Sequence, residues 1–385
     1  MPESLERRRQ LQAMRLRHRL AIQARQIDRV LERRDVPAQV AGGWVEQGGI
    51  RYDVQGHLAQ GWERLRGLTS DLKMALGVPD VTWSRENGRL QLSISRPTEP
   101  PVSLLDLLTL TPDVPPLTAV LGLSSDGRPV LLRFNQREMS HVLLSGAAGA
   151  GKSALLRTLA LSLALHNRQS QAQFLIIDPQ PEERPLGYPY LEPLNYLPHL
   201  LTPACHTFEE AAKALQFLVQ EMERRDEDDT AQPSVFAFID KAAFLLESGG
   251  APVVEAVTRL LQRGERAGIH LILSTQRPDA AVFTAMLQAN LTVRLAGQQN
   301  SPRLARAATG HPASGAEQLR GMGDFVAVIG QTPIYFQGAY VGDYDLHLCL
   351  QQLYRTPQSI LLARPYFDRP KMTPVNGADN PFVGR

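Results

Sequence analysis

Eight consecutive residues constrain this chain more than any other feature: Gly146-Ala147-Ala148-Gly149-Ala150-Gly151-Lys152-Ser153, a G-x-x-x-x-G-K-S string. It follows an apolar segment, His141 to Ser145, that reads as a strand. It opens a segment from Lys152 in which Leu155, Leu156, Leu159 and Leu163 fall at helical spacing, so an amphipathic helix is expected there. Gly146, Gly149 and Gly151 have no Cβ, which lets the backbone wrap its N–H groups around phosphate oxygens. The start of the helix adds the positive end of its dipole. Residues Gly146, Ala147, Ala148, Gly149, Ala150, Gly151, Lys152, Ser153 and Ala154 are therefore expected to cradle a nucleotide's phosphates. Lys152 reaches the β- and γ-phosphates as a point charge, and the Ser153 hydroxyl ligates Mg²⁺.

A site of this kind needs a second strand ending in an acid that holds the metal's hydration shell. Val235-Phe236-Ala237-Phe238-Ile239-Asp240 supplies one, with Asp240 at the C-terminal end of the strand, where ligands bind in parallel sheets. An apolar strand followed by Asp is common, and its spacing after the glycine-rich loop is what gives it weight.

From about Leu117 strands alternate with helices, which argues for an α/β domain with a mainly parallel sheet. Short segments apolar on both faces mark strands at Ser140 to Ser145, Phe174 to Ile177, Val235 to Ile239, Ile269 to Ser274 and Leu291 to Leu295. Helices are expected at Lys152 to Leu165, Phe208 to Arg225 and Val253 to Ala267, and a closing hairpin at Phe325 to Ile329 and Ile334 to Gln337. Upstream, hairpins at Trp44 to Gln47 with Ile50 to Val54, and at Val81 to Arg85 with Arg89 to Ser95, flank a helix at Leu65 to Leu76. The resulting plan is a basic N-terminal helix at 1–34, a small α+β domain at 35–102, a phosphate-loop α/β domain at 103–354 and a Pro/Gly-rich tail at 355–385.

The net charge of +2 hides an asymmetry, with ten arginines from Arg7 to Arg34 interleaved with Leu5, Leu11, Leu20, Ile27, Val30 and Leu31. Such a basic amphipathic helix suits nucleic acid, an anionic membrane or an acidic partner, and equally a solvated face. Cys205 and Cys349 lack metal-ligand spacing and read as two inert thiols in a reducing compartment. No stretch approaches the roughly 18 apolar residues of a membrane span, and the N-terminus has no apolar signal core, so a soluble cytoplasmic protein is expected.

Beyond the phosphate loop, a series of strings carries a resemblance: Ile177-Asp178-Pro179, Pro198-His199-Leu200-Leu201-Thr202, Glu221-Met222-Glu223-Arg224-Arg225, Ala267-Gly268-Ile269-His270-Leu271-Ile272-Leu273-Ser274-Thr275-Gln276-Arg277-Pro278, and Gly315-Ala316-Glu317-Gln318-Leu319-Arg320-Gly321-Met322-Gly323-Asp324. In this order they are similar to the motifs of the FtsK/SpoIIIE double-stranded DNA translocases, over roughly residues 20 to 350. The resemblance implies a RecA-like P-loop NTPase that binds ATP with Mg²⁺ between subunits of a hexameric homo-oligomer and threads double-stranded DNA through the ring. It also implies a free-standing motor core, without the family's membrane-spanning region or its winged-helix module. By the same resemblance Ser153 and Asp240 hold the metal, and Thr275 or Gln276 senses the γ-phosphate. Arg277 points at DNA, and Arg303 and Arg306 lie near a second DNA-facing loop. Contacts to phosphates imply sequence-blind binding that weakens with salt. Secretion motors share this ATPase fold, but the G-A-E-Q-L-R-G-M-G-D string and the small N-terminal domain favour DNA.

Two departures bear on catalysis. Where the family has a water-polarising Glu after the metal-holding acid, this chain has Lys241, which cannot serve as that base at neutral pH unless heavily desolvated. Where the family has an arginine finger, this chain has Glu265, with Arg263 and Arg266 on either side. A missing finger costs orders of magnitude in turnover. Lys241 and Glu265 are expected to face each other across a subunit boundary as a charge swap. The alternative gives the finger role to Arg263 or Arg266 and water alignment to another acid such as Glu247, although Glu247 lies about two helical turns beyond the strand. The expected catalytic set is thus Lys152, Asp240, Gln276 and Arg266. Between a translocase and a hydrolysis-poor clamp, or partner subunit of an active paralogue, the two departures favour the second. A third departure is a short acidic link, Asp226-Glu227-Asp228-Asp229, expected on the outside of the ring.

Overall fold

The computed structural model describes residues 2–46, 49–56, 65, 67–76, 78, 80–86, 89–95, 101–136, 139–179, 190–330 and 332–355, of which residues 2–16, 19, 46, 49, 86, 89, 95 and 355 are described by their backbone alone. The expected turn at Asn87-Gly88 and the tail beyond residue 355 lie outside these residues. The chain divides into two compact units, one built from Met1–Pro101, Glu182–Pro189 and Gly342–Asp345 and one from Val102–Pro181, Tyr190–Val341 and Leu346–Arg385.

In the first unit, helix α1 (Pro2–Arg33) and α2 (Thr69–Leu76) accompany four strands, β1 (Ala38–Glu46), β2 (Gly49–Gly56), β3 (Val81–Glu86) and β4 (Arg89–Ser95). The strands form an antiparallel sheet in the order β1-β2-β4-β3. Ile27, Val30 and Leu31 of α1 are buried in one core with Tyr52, Leu72 and Leu92. Asp28 accepts a hydrogen bond from Val40 N at 2.6 Å and the Tyr52 hydroxyl donates to Gln23 Oε1 at 3.0 Å. The last turns of α1 therefore pack as part of the small unit, while Arg17, Arg25, Arg29 and Arg33 are exposed. From Leu20 to Leu31 the apolar stripe between the arginines faces the core.

The second unit is a nine-stranded sheet in the order β6-β5-β13-β12-β11-β7-β10-β9-β8. Its first helix is α3 (Leu104–Leu110), followed by the antiparallel pair β5 (Thr118–Ser124) and β6 (Pro129–Arg133). Next come β7 (Val142–Ser145), α4 (Lys152–His166), β8 (Ala172–Ile177), α5 (Phe208–Glu227), β9 (Ser234–Ile239), α6 (Ala242–Ser248), α7 (Gly250–Arg263) and β10 (Ile269–Thr275). The chain continues through α8 (Ala285–Asn290), β11 (Val293–Gly297), α9 (Pro302–Thr309), β12 (Asp324–Ile329), β13 (Thr332–Gly338) and α10 (Asp343–Arg355). Strands β11, β7, β10, β9 and β8 run parallel, as the alternating pattern predicts. Beyond β11 the sheet extends through four antiparallel strands, β12, β13, β5 and β6, of which the sequence pattern marked only the β12–β13 hairpin.

Alternate residues of the parallel strands bury on opposite faces, Leu144, Ile176 and Phe238 on one and Leu143, Ile177 and Ile239 on the other. Helix α4 is not amphipathic as expected: every residue from Leu155 to Ala164 is buried. The antiparallel half of the sheet explains this, because α4 packs on β5 as well as on the parallel strands. Its hydroxyls serve that second surface: Ser162 Oγ accepts from Val120 N at 2.9 Å, beside a bulge in β5, and Thr158 Oγ1 donates to Ala339 O at 2.8 Å. The expected acidic link is half helix and half turn. Helix α5 runs on through Glu227, and Asp226 and Asp228 pair with Arg263 and Arg224.

Candidate functional site

The glycine-rich loop joins the C-terminal end of β7 to the start of α4. Gly149 and Gly151 take φ of +80° and +98°, a left-handed backbone that a side chain would strain. The loop is held from three sides. Gly146 N donates to Thr275 O, the last residue of β10, at 3.2 Å, and Ala147 N donates to Gln298 O, just past β11, at 2.7 Å. Met322 N and Gly323 N donate to Gly149 O and Ala150 O at 3.2 and 2.9 Å. The amides of Ala148, Gly149, Gly151, Lys152 and Ser153 donate to no acceptor among the described residues. A concave row of unspent donors at a helix N-terminus fits the phosphates of a nucleotide.

The contribution of Gly321-Met322-Gly323 is one that sequence reasoning missed, since the G-M-G-D string entered only as a signature. All three residues have positive φ, 79°, 53° and 94°, so the turn directs successive amides at the loop. A Cβ on Gly151 would come within 2.9 Å of Gly323 N, so the turn can lie this close only because residue 151 has no side chain. The run of glycines around one non-glycine residue was the available signal.

The Lys152 ammonium donates to Gly146 O and Ala147 O at 2.8 and 2.9 Å, and burial pushes its pKa down to about 8, with Asp240 acting against the shift. Asp240 leaves β9 in register with Asp178, which leaves β8. Three donors converge on its carboxylate: Ser153 Oγ at 2.8 Å, Ser274 Oγ at 2.7 Å and its neighbour Lys241 N at 3.0 Å. The hydroxyl–carboxylate pair Ser153 and Asp240 fits Mg²⁺, which takes one or two protein oxygens and completes its octahedron with waters and phosphates. Ala154 lies in the first turn of α4, beyond these contacts.

Lys241 opens α6 with φ +53°, and its ammonium lies 2.8 Å from Asp178 Oδ1 and 3.3 Å from Pro179 O. Within the chain, and among the described residues, Lys241 pairs with Asp178, where the sequence suggested Glu265 of a neighbour. Burial raises the Asp178 carboxyl above the usual carboxylate range even with Lys241 beside it.

The remaining site residues separate into two groups. Gln276 is exposed just past β10, at the same sheet edge as Lys152 and Asp240, whereas Thr275 is buried, its hydroxyl accepting from Arg277 N at 3.0 Å. Arg277, at that edge too, forms an ion pair with Glu247, so the acid considered for water alignment is engaged elsewhere. Arg303 and Arg306 are exposed on α9, which follows β11. Arg266 and Glu265 are not brought to the site. They occupy the turn before β10, and its seven residues carry the chain about 20 Å from that turn to the phosphate-loop edge. The turn is firmly held: Arg225, buried, donates to Ala267 O at 2.8 Å and pairs with Glu221 at 2.7 Å. The E-M-E-R-R string thus includes a structural arginine. The P-H-L-L-T string is structural as well, since His199 stacks on Phe174 and donates from Nε2 to Asn167 O at 2.8 Å. Cys205 and Cys349 are buried, and burial pushes the Cys205 thiol up to about 12.

A parallel sheet with a glycine-rich phosphate loop after β7 and a hydroxyl–acid pair across to β9 defines a P-loop NTPase of the RecA-like class. Solved structures agree on the fold. The cytoplasmic domain of the Thermomonospora curvata Type VII secretion ATPase EccC is similar at 22% identity and TM-score 0.57, covering 66% of this chain and 34% of that one. The monomer form of the pCW3 conjugation coupling protein TcpA with ATPγS is similar at 17% identity and TM-score 0.53, covering 86% of this chain and 99% of that one.

Residues 110–229 match the FtsK/SpoIIIE family profile. The DNA translocase SftA of Bacillus subtilis is 31% identical over 74% of this chain and 32% of its own length. The DNA translocase FtsK of Mycobacterium tuberculosis is 29% identical over 92% of this chain and 46% of its own. The chain belongs to the FtsK/SpoIIIE family, and it spans less than half the length of these relatives. Among the described residues no helix is long and apolar enough to cross a membrane.

Proposed function

We propose that this chain is an ATP-binding motor subunit that assembles into a ring, a hexamer by family resemblance, and acts on double-stranded DNA without reading its sequence. The observation that carries the reading is the phosphate loop: five unspent amides and Lys152 beside the Ser153–Asp240 pair. Bound ATP with Mg²⁺ would supply the phosphoanhydride free energy. The chain's own residues position it, with Lys152 and the loop amides on the phosphates and Ser153 and Asp240 on the metal. The remoteness of Arg266 from Lys152 supports a requirement for neighbours, because a finger can then reach the loop only from another subunit. Arg277, Arg303 and Arg306 support the DNA reading as exposed cations on segments that follow parallel strands.

A second reading, a nucleotide-binding clamp or partner subunit that hydrolyses poorly, draws support from Lys241. An ammonium held by Asp178 occupies the position of the family's water-polarising acid and cannot accept a proton. ATP turnover measured with and without duplex DNA, with Lys152→Ala as control, separates the two. DNA-stimulated turnover that the control abolishes supports the motor, and nucleotide binding without turnover supports the clamp. Failure to bind nucleotide or DNA refutes both.

A further inference from the structure

We infer that Lys241 is a ligand for the terminal phosphate of the bound nucleotide and makes the site discriminate triphosphate from diphosphate. The inference rests on the reading that a nucleotide occupies the 146–153 loop. Lys241 N donates to Asp240 Oδ1, and the other oxygen of that carboxylate accepts from Ser153 Oγ, so the backbone of Lys241 is fixed one residue from the metal-holding acid. Its left-handed backbone opens α6, and its ammonium is directed back over the end of β8 rather than along the helix. The ammonium is presented by a side chain 38% exposed, while its partner Asp178 is only 7% exposed.

Chemistry narrows what such a group can do. A lysine with three N–H donors on a flexible stem is a poor base but a strong phosphate ligand. Asp178 holds the ammonium over the end of β8, across β9 from β10 and β7, and a flexible four-carbon stem rooted beside Asp240 would let it turn from there toward the outermost phosphate. A diphosphate would lack the phosphate that makes this contact. The substitution that removes the family's base therefore adds a contact available to ATP alone, and couples the β8 and β9 ends to the state of the nucleotide.

The test is equilibrium binding of ATPγS and of ADP, each with Mg²⁺, to the wild type and to the Lys241→Ala, Lys241→Arg and Lys241→Ala/Asp178→Asn variants. ATPγS affinity is expected to fall about tenfold in Lys241→Ala. ADP affinity should stay within about twofold, and Lys241→Arg should retain most of the preference. The double variant removes the buried carboxylate that the single change leaves without Lys241, and should show the same selective loss. A parallel weakening of both nucleotides, or a wild-type ATPγS-to-ADP ratio in the double variant, overturns the inference while leaving the loop as a nucleotide site. A wild type that binds neither nucleotide overturns both.

Discussion

Ser153 Oγ donates a 2.8 Å hydrogen bond to Asp240 Oδ2 across 87 residues of sequence, bringing the phosphate loop and the end of β9 into one site. Ser274 Oγ holds the other carboxylate oxygen at 2.7 Å. Replacing Asp240 by Asn keeps the shape and removes the charge. We expect Asp240→Asn to abolish the Mg²⁺ dependence of ATP affinity while metal-free binding persists. Titration with and without Mg²⁺ checks this, and an unchanged metal response would remove Asp240 from the metal's shell.

Gly323→Ala tests the clamp on the loop without touching a phosphate ligand. The position has φ +94° and its new Cβ would meet Gln337 Nε2 at 2.8 Å. A left-handed residue with a Cβ costs about 1–2 kcal/mol, and the amide that bonds Ala150 O must shift. Nucleotide affinity is expected to drop several-fold with circular dichroism unchanged.

Lys152 sets a pH limit on binding. Burial lowers its pKa to about 8, so the free protein loses the ammonium as pH rises through 8, whereas the phosphate-bound protein keeps it. ATP binding above pH 8 must then take up a proton, and affinity falls by up to about tenfold per pH unit. Below pH 8 this contribution is flat. Calorimetry in buffers of different ionisation enthalpy reads the proton uptake directly.

Arg303 and Arg306 are exposed side by side on α9, one turn apart. If both contact DNA phosphates, the double change to Gln weakens binding equally for unrelated duplexes. The slope of log affinity against log salt should shrink by about two. A loss confined to one sequence would contradict phosphate contact.

At the other end of the sheet, His141 and His270 are buried and neutral, with burial pushing their pKa values down to about 3 and about 4. His141 Nδ1 accepts from Leu271 N at 3.1 Å, and His270 Nδ1 donates to Ser140 O at 2.9 Å. Both values lie below the ordinary 6.5, so the unfolded chain takes up protons that the folded chain refuses. Stability is therefore fully present above pH 6.5 and is lost as pH falls toward 4, at up to about 1.4 kcal/mol per pH unit for each histidine. Urea unfolding at pH 7, 6 and 5 checks the slope, which His270→Phe should reduce by about one proton.

Much of the site was legible because its signals are local. The loop residues, the strand before them and Asp240 at a strand end follow from glycine spacing and runs of apolar residues. The same signals marked the five parallel strands, since a strand buried on both faces has a distinctive composition. What stayed hidden depended on partners distant in the chain. Lys241 reads as a missing base and becomes, beside Asp178 63 residues away, a held cation. Arg225 reads only as part of the E-M-E-R-R string and is buried against Ala267 O, 42 residues on.

By itself the sequence determined a phosphate loop on a parallel α/β sheet, because backbone freedom at Gly149 and Gly151 and the donors of Lys152 and Ser153 are properties of the residues in place. Only the tertiary structure decided which neighbours tune that loop: the Met322-Gly323 amides, the enclosure of α4 by the antiparallel strands, and the pairing of Lys241 with Asp178. The physical reason is that hydrogen bonds and ion pairs depend on distances of about 3 Å, and strand order sets those distances for residues that lie far apart along the chain.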